Sequence, residues 1–308
     1  MGIAAAAAGA EKGGVSRRRN ISGWVILDKP LGLTSTQALA QVKRLFHAKK
    51  GGHVGTLDPL ATGVLPIALG EATKTISSVE DGEKKYSFSL EWGSETDTGD
   101  TEGVVTGRSD RRPSFAQICA AIPQFIGPIT QRPPIYSAIK INGARAYDLA
   151  RDGRIAAIEP RIVHVRELRI LDSQDKSASF EVACGKGTYV RSIARDLGRA
   201  LGTLAHVTAL RRTGVGIFDI SAAKTLSGLA AAPGNGLLPI ETSLTRLKRI
   251  EIDSVSADIL RMGRAISGGQ TESHGKEPAY AMQDGTLIAI GVIRDGIFAP
   301  SRIFNHAA

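Results

Sequence analysis

Gly51-Gly52-His53-Val54-Gly55-Thr56-Leu57-Asp58-Pro59-Leu60-Ala61-Thr62-Gly63 is the stretch on which the reading of this chain turns. It sets five glycines or prolines around a single aspartate, with His53 five residues upstream. Glycine lets backbone come close to a ligand, and proline confines the residue before it to extended conformations. Asp58 is therefore expected in a loop of heavily specified shape, its carboxylate displayed instead of lying on a helix face. Asp-Pro in Gly-rich sequence is also an ordinary turn signal, so the residues alone leave a turn and a displayed acid both open.

Working outward, Trp24-Val25-Ile26-Leu27 reads as a short apolar strand closed by Asp28-Lys29-Pro30, with order expected from about Gly23. Ser35 or Thr36 is the expected cap of a helix running to about Phe46. Leu39, Val42, Leu45 and Phe46 form its apolar stripe, and Lys49-Lys50-Gly51-Gly52 stops it. Downstream, Tyr86, Phe88, Leu90 and Trp92 alternate with Ser87, Ser89 and Glu91, the period of a strand with one buried face. Asp97-Thr98-Gly99-Asp100 reads as a turn. Residues 113–122 read as a helix with Phe115, Ile118, Cys119 and Ile122 on one side, ended by Pro123. Residues 162–171 and 178–184 supply further strands. After Gly187-Thr188 a helix is expected, with Val190, Ile193, Ala194, Leu197 and Leu201 inward and Gly202 at its end. Arg191, Arg195 and Arg199 share another face of it. Arg199 reads as solvated, whereas Arg191 stands in the first turn beside a Gly-rich loop.

A chain of 308 residues is enough for two domains with cores of their own. Residues 227–243 are rich in Gly, Ala and Pro, and the domain limit is placed there. Beyond it, short apolar runs joined by Asp284-Gly285 and Asp295-Gly296 predict hairpins and a small β-rich unit. The expected division is a flexible tail over 1–21, a larger domain over 22–240 and a C-terminal domain over 247–308. The net charge of +9 favours a polyanionic partner, although charge alone is a weak sign. Cys119 and Cys184 make neither a disulfide framework nor a zinc spacing, and both are expected as small buried hydrophobes in a reducing compartment. The histidines show no metal-ligand pattern, so no metal is expected. The apolar stretch at residues 3–10 has its charges after it, which argues against a secretory signal. No apolar run approaches the length of a membrane span, and a cytoplasmic protein is expected. Gly185-Lys186-Gly187-Thr188 lacks the upstream glycine of a phosphate-cradling loop, and no dinucleotide fingerprint is present.

The wording of the Asp58 loop, continuing through Leu65-Pro66 to Gly70-Glu71-Ala72-Thr73-Lys74, closely resembles the signature of the TruB family. These are bacterial tRNA pseudouridine synthases that isomerise uridine 55 in the T loop. Lys29-Pro30, Lys84-Lys85-Tyr86, Pro133-Pro134-Ile135-Tyr136-Ser137-Ala138 and Gly185-Lys186-Gly187-Thr188-Tyr189-Val190-Arg191 resemble the family's other motifs, in its order, over roughly residues 24–216. The resemblance implies an α+β fold. Its pseudouridine-synthase catalytic domain would have a mixed, largely antiparallel sheet with flanking helices about a central cleft. The small β-rich C-terminal domain would be a PUA-like RNA-binding module. It further implies a tRNA T stem-loop as partner; with no long Lys-rich tail no guide RNA is expected, with no apolar span no membrane, and a monomer is the default. The reaction breaks the N1–C1′ bond of uridine, turns the base and rejoins it through C5. No redox change or net atom transfer occurs, so no cofactor is implied.

By the same resemblance Asp58 is the carboxylate that either attacks C1′ or takes a proton from C2′. It must be ionised, and Arg191 is the cation expected to lower its pKa. The target base is stacked in the folded RNA and must be flipped out. Tyr86 is the candidate platform for it, with a hydroxyl that could handle the C5 proton; read by alternation alone it is equally a half-buried strand tyrosine. His53 would occupy or line the space vacated by the base, or is a satisfied loop histidine. Tyr189 and Leu210 are candidates for the pocket wall, or for plain core packing. Lys29 would support the loop or meet a phosphate, or is a solvated lysine, and Tyr136 is equally a packing residue. Two other accounts stand beside the enzyme: a non-catalytic tRNA-binding or chaperoning protein on the same scaffold, and a guide-RNA-dependent pseudouridine synthase.

Overall fold

The computed structural model describes residues 18–137, 139–141, 144–147, 158–268 and 275–305. The apolar stretch at 3–10, most of the expected tail and Ala138 lie outside the described residues. The body begins earlier than Gly23. Arg19 donates its N–H to the His47 carbonyl at 2.6 Å, and Ser22 Oγ accepts from the Glu71 N–H at 3.0 Å. Arg19 and Ser22 are thus tied to the body.

The main sheet contains β1 (Gly23–Lys29), β2 (Gly51–His53), β3 (Ala61–Leu69), β4 (Lys84–Trp92), β5 (Gly127–Gln131), β6 (Arg161–Ser173), β7 (Ser177–Cys184) and β8 (Ala205–Val215). Their order is β1-β3-β8-β4-β7-β6-β5, with β2 beside β3 and the short strand Phe218–Asp219 beside β8. Every pairing is antiparallel except β3 with β8. β1 and β3 read as continuous apolar runs because both of their faces are covered. Trp24 and Ile26 point into one core and Val25 and Leu27 into another. β4 alternates as its sequence requires, with Phe88, Leu90 and Trp92 buried under the helix that carries Ile193 and Leu197.

Helix α1 (Ser35–Leu45) is capped by Thr34, not by Ser35 or Thr36. The Thr34 hydroxyl accepts the Gln37 N–H and Gln37 returns to the Thr34 backbone. A short α2 (Ile76–Glu80) precedes β4. Helix α3 (Phe115–Ala121) opens with the same reciprocal cap between Ser114 and Gln117. It turns Ile118 and Ala121 inward, so Phe115 and Cys119 are exposed, against expectation. Helix α4 (Val190–Ala200) buries the expected stripe and ends at Gly202 in the left-handed region.

The Gly-, Ala- and Pro-rich stretch at 227–243 is packed structure. It contributes to α5 (Leu226–Ala231), whose Leu229 joins the core of α1, and Leu238 exchanges backbone hydrogen bonds with Trp24 at 2.8 and 2.7 Å. Ile240 and Leu244 are buried against β1 and β3. The chain then changes sheets: β9 (Lys248–Glu251), helix α6 (Ser254–Arg261), β10 (Ile266–Ser267), β11 (Glu277–Gln283), β12 (Thr286–Arg294) and β13 (Ile297–Ile303). The second sheet runs β9-β11-β12-β13-β10. Asp284-Gly285 and Asp295-Gly296 form its two tight turns with positive φ at all four residues, as such hairpins require. Tyr280, Met282, Leu287 and Phe304 pack with Trp24, Ile26 and Val64, so the two sheets share a core. Among the described residues no helix is long and apolar enough to cross a membrane. The architecture is the expected α+β one, with a large, mostly antiparallel sheet and a β-rich C-terminal unit.

Candidate active site

Three side chains brace the Gly- and Pro-rich loop between β2 and β3. Ser35, at the buried start of α1, accepts the Leu57 N–H at 2.8 Å and donates to its carbonyl at 3.0 Å. Lys29, at the end of β1, gives its ammonium to the carbonyls of Pro30, Leu33 and Pro59. Arg212, on β8, donates to Val64, Val54 and Gly55 carbonyls at 2.8, 3.3 and 2.7 Å. The backbone on both sides of Asp58 is therefore held, while the Asp58 side chain keeps 37 % of its surface open.

Arg191, in the first turn of α4 and almost wholly buried, meets that carboxylate. Nη2 lies 2.8 Å from Asp58 Oδ2 and donates to the Tyr136 carbonyl at 2.9 Å. Nη1 donates to the Thr98 carbonyl at 2.7 Å and faces Asp100 Oδ2 at 3.5 Å. Asp100 is itself buried, and its Oδ1 accepts from Thr98 Oγ1 and the Glu102 N–H. One guanidinium thus serves two carboxylates and two main-chain carbonyls, a geometry that suits its planar fork. Burial pushes the Asp58 carboxyl above the usual carboxylate range and Asp100 adds to the push, with Arg191 and Lys29 pulling against both. Desolvation and the pairing with Arg191 thus act on Asp58 in opposite directions.

Asp58 and Arg191 open onto a cleft of about 220 Å³, small enough for a single nucleoside, whose walls include Tyr86, Tyr189, Leu210 and Arg212. Tyr86 on β4 and Leu210 on β8 each touch two cores, so the cleft follows the seam between them. Burial raises the Tyr86 phenol, opposed by a hydrogen bond with Arg212. Tyr189 is fixed through its backbone, which exchanges hydrogen bonds with the Gln131 side chain at 2.8 and 3.1 Å, and the Arg161 guanidinium lies 5.4 Å from its ring centre. A second depression of about 740 Å³, lined by Thr98, Arg132, Tyr136 and Arg195, adjoins the cleft at Arg191. Tyr136 belongs to that side and reaches Asp58 only through its carbonyl on Arg191.

Lys29 has no exposed surface, and its ammonium, lowered to about 8 by desolvation, is spent on loop carbonyls. It braces the loop, one of the roles expected for it. His53 is half-buried on β2 opposite Ile67, beside the loop but off the cleft wall. Asp100, Ser35 and Arg212 were not among the expected residues. The only local sign of Asp100 is its place in an Asp-Thr-Gly-Asp turn, and Arg212 shows merely as the second of two arginines after Leu210.

Residues 43–190 match the family model described as TruB family pseudouridylate synthase (N terminal domain), and residues 191–245 match the tRNA pseudouridylate synthase B C-terminal domain. A protein of Bradyrhizobium diazoefficiens named tRNA pseudouridine synthase B is 49% identical over 300 residues, covering 94% of this chain and 87% of its own. The chain belongs to the TruB family of pseudouridylate synthases. A Nitrobacter winogradskyi protein of the same name is likewise 49% identical, over 94% of this chain and 84% of its own. Among solved structures, an H/ACA RNP bound to a substrate RNA containing 2′-deoxyuridine aligns with a TM-score of 0.70 over 92% of this chain and 85% of that one. At 22% identity that likeness is one of fold. The matched C-terminal model lies on α4, β8 and α5, so in this TruB-family enzyme both halves of the Asp58–Arg191 pair fall within the matched residues.

Proposed function

We propose that this enzyme isomerises uridine 55 in the T loop of tRNA to pseudouridine, with Asp58 as the essential carboxylate. The observation that carries the reading is the 2.8 Å pairing of Asp58 with Arg191 at a nucleoside-sized cleft that also holds Tyr86. The names of the relatives, tRNA pseudouridine synthase B, support tRNA as the substrate. The flipped uridine enters with its ribose against Asp58, which attacks C1′ or takes the C2′ proton, and Arg191 holds the acting oxygens in place. The base stacks on Tyr86, a contact of about 1–3 kcal/mol that offsets a few kcal/mol of unstacking. Burial raises the Tyr86 phenol, and its hydroxyl is the candidate group for handling the C5 proton. Tyr189 and Leu210 close the walls, and His53 engages RNA beside the cleft.

The domains are assigned as 22–240 for catalysis and 247–308 for a PUA-like module that extends the RNA contact. The enzyme works as a cytoplasmic monomer, without guide RNA or cofactor. The test is tritium release from a guide-free tRNA transcript carrying 5-tritiated uridine, comparing wild type with Asp58→Asn. Release by the wild type alone, mapped to position 55, is the expected result. Tight RNA binding by both proteins with no release from either would replace this reading with a non-catalytic RNA-binding one.

A further inference from the structure

Lys84 and Arg212 bring to the cleft buried positive charge that no carboxylate among the described residues pairs. Lys84 begins β4 on the same face as Tyr86, two residues away and so roughly 7 Å along the strand. It is 6% exposed and lines the cleft with Tyr86 and Arg212. The groups that act on it are Arg212, Cys184, Lys186 and Asp81, whereas those that act on Asp58 are Arg191, Asp100 and Lys29. Lys186 is matched by Glu80 and Asp81 at 3.4 and 3.1 Å. Lys84 donates to the Glu80 carbonyl and Arg212 to three carbonyls, and among the described residues neither is paired with a carboxylate. Burial lowers both groups and Arg212 lowers Lys84 further, so the two cations sit here at a cost that a bound anion would relieve.

The reaction makes such an anion, if the cleft is the uridine-isomerising site proposed above, on which this inference rests. When N1–C1′ breaks, its electron pair leaves with N1 and spreads over O2 and O4 of the uracil. C1′ either bonds to Asp58 or is left in a glycal as the C2′ proton passes to Asp58. Rejoining at C5 uses the same electron pair, and the C5 hydrogen leaves as a proton. We propose that Lys84, together with Arg212, is the electrostatic sink for the detached uracil, touching the base at the end of the Tyr86 platform. Arg212 also holds the loop backbone, so Lys84 is the group whose removal isolates this role.

The experiment is single-turnover conversion of tRNA transcripts containing either uridine or 5-fluorouridine by wild type, Lys84→Met and Lys84→Arg. Loss of the N-linked base is read in nuclease digests, alongside RNA affinity and Tm. Fluorine withdraws electrons and makes the base a better leaving group that needs less help. Lys84→Met is expected to slow uridine conversion on the order of 10²-fold, as loss of a charge-stabilising donor does. The loss on 5-fluorouridine should be clearly smaller, Lys84→Arg should recover most of the rate, and affinity should hold. Equal losses on the two bases would overturn the proposal, leaving a brace on α2 if Tm also falls. A loss confined to affinity, with a changed salt dependence, would overturn it in favour of a phosphate contact. Inactivity of the wild type itself would overturn both this assignment and the reading it rests on.

Discussion

Arg191 holds Asp58 while being held itself by the carbonyls of Thr98 and Tyr136 and by Asp100, so the acid meets a cation that cannot swing with it. A lysine at 191 would present a point charge and could satisfy only part of that set. Arg191→Lys is expected to lower kcat on the order of 10²-fold with RNA affinity little changed, measured by single-turnover conversion and filter binding. The acid limb of the pH profile is a second check. Asp58 acts as the carboxylate and burial raises its pKa, so activity falls as the pH drops through that raised value. The midpoint of kcat/KM at low pH is expected above the usual carboxylate range; a midpoint at or below it would mean that Arg191 outweighs desolvation.

At the scale of elements, the cleft depends on β8 running beside β3 in the one parallel pairing of the main sheet. Gly63 makes this possible. Its φ is +98°, and a Cβ there would stand 2.2 Å from the Arg212 carbonyl oxygen. Any side chain would push β8 away and take Leu210 and Arg212 with it. Gly63→Ala is expected to destabilise the protein by about 1–3 kcal/mol or more, seen as a lower urea midpoint, and to cut activity through the displaced wall. A neutral result would imply that β8 can shift without disturbing the cleft.

At the scale of the whole molecule, the C-terminal sheet is not a loosely tethered module. Phe304, after β13, is buried with Trp24 and Tyr280 and lies under the Lys74 ammonium at 5.5 Å from the ring centre. Phe304→Ala should therefore cost about 3–5 kcal/mol, the range for emptying an aromatic site in a core. Because the core is common to both sheets, unfolding is expected to remain one cooperative transition, followed by near-UV and far-UV signals together. Separate transitions would show that the two sheets are held by their own cores alone.

Local spacing was enough to mark the regular elements. Apolar runs marked β1 and β3, alternation marked β4, helical periodicity marked α4, and Asp-Gly pairs marked the C-terminal hairpins. Motif wording singled out Asp58, Tyr86 and Arg191, which the fold brings to one cleft. Where each charge ends up depends on the packed fold. Lys29 looks like a solvated loop lysine and is fully buried; Asp100 looks like a turn residue and sits against Arg191; Ser35 looks like a helix cap and locks Leu57; Phe115 and Cys119 look inward and face out. The 227–243 stretch has the composition of a linker and is packed against α1 and β1. Periodicity is a property of neighbouring residues, whereas the burial and pairing of a charged side chain depend on strands and loops far away in the chain. No window of sequence contains them, so the cost of desolvation and its compensation are set only when the sheet closes.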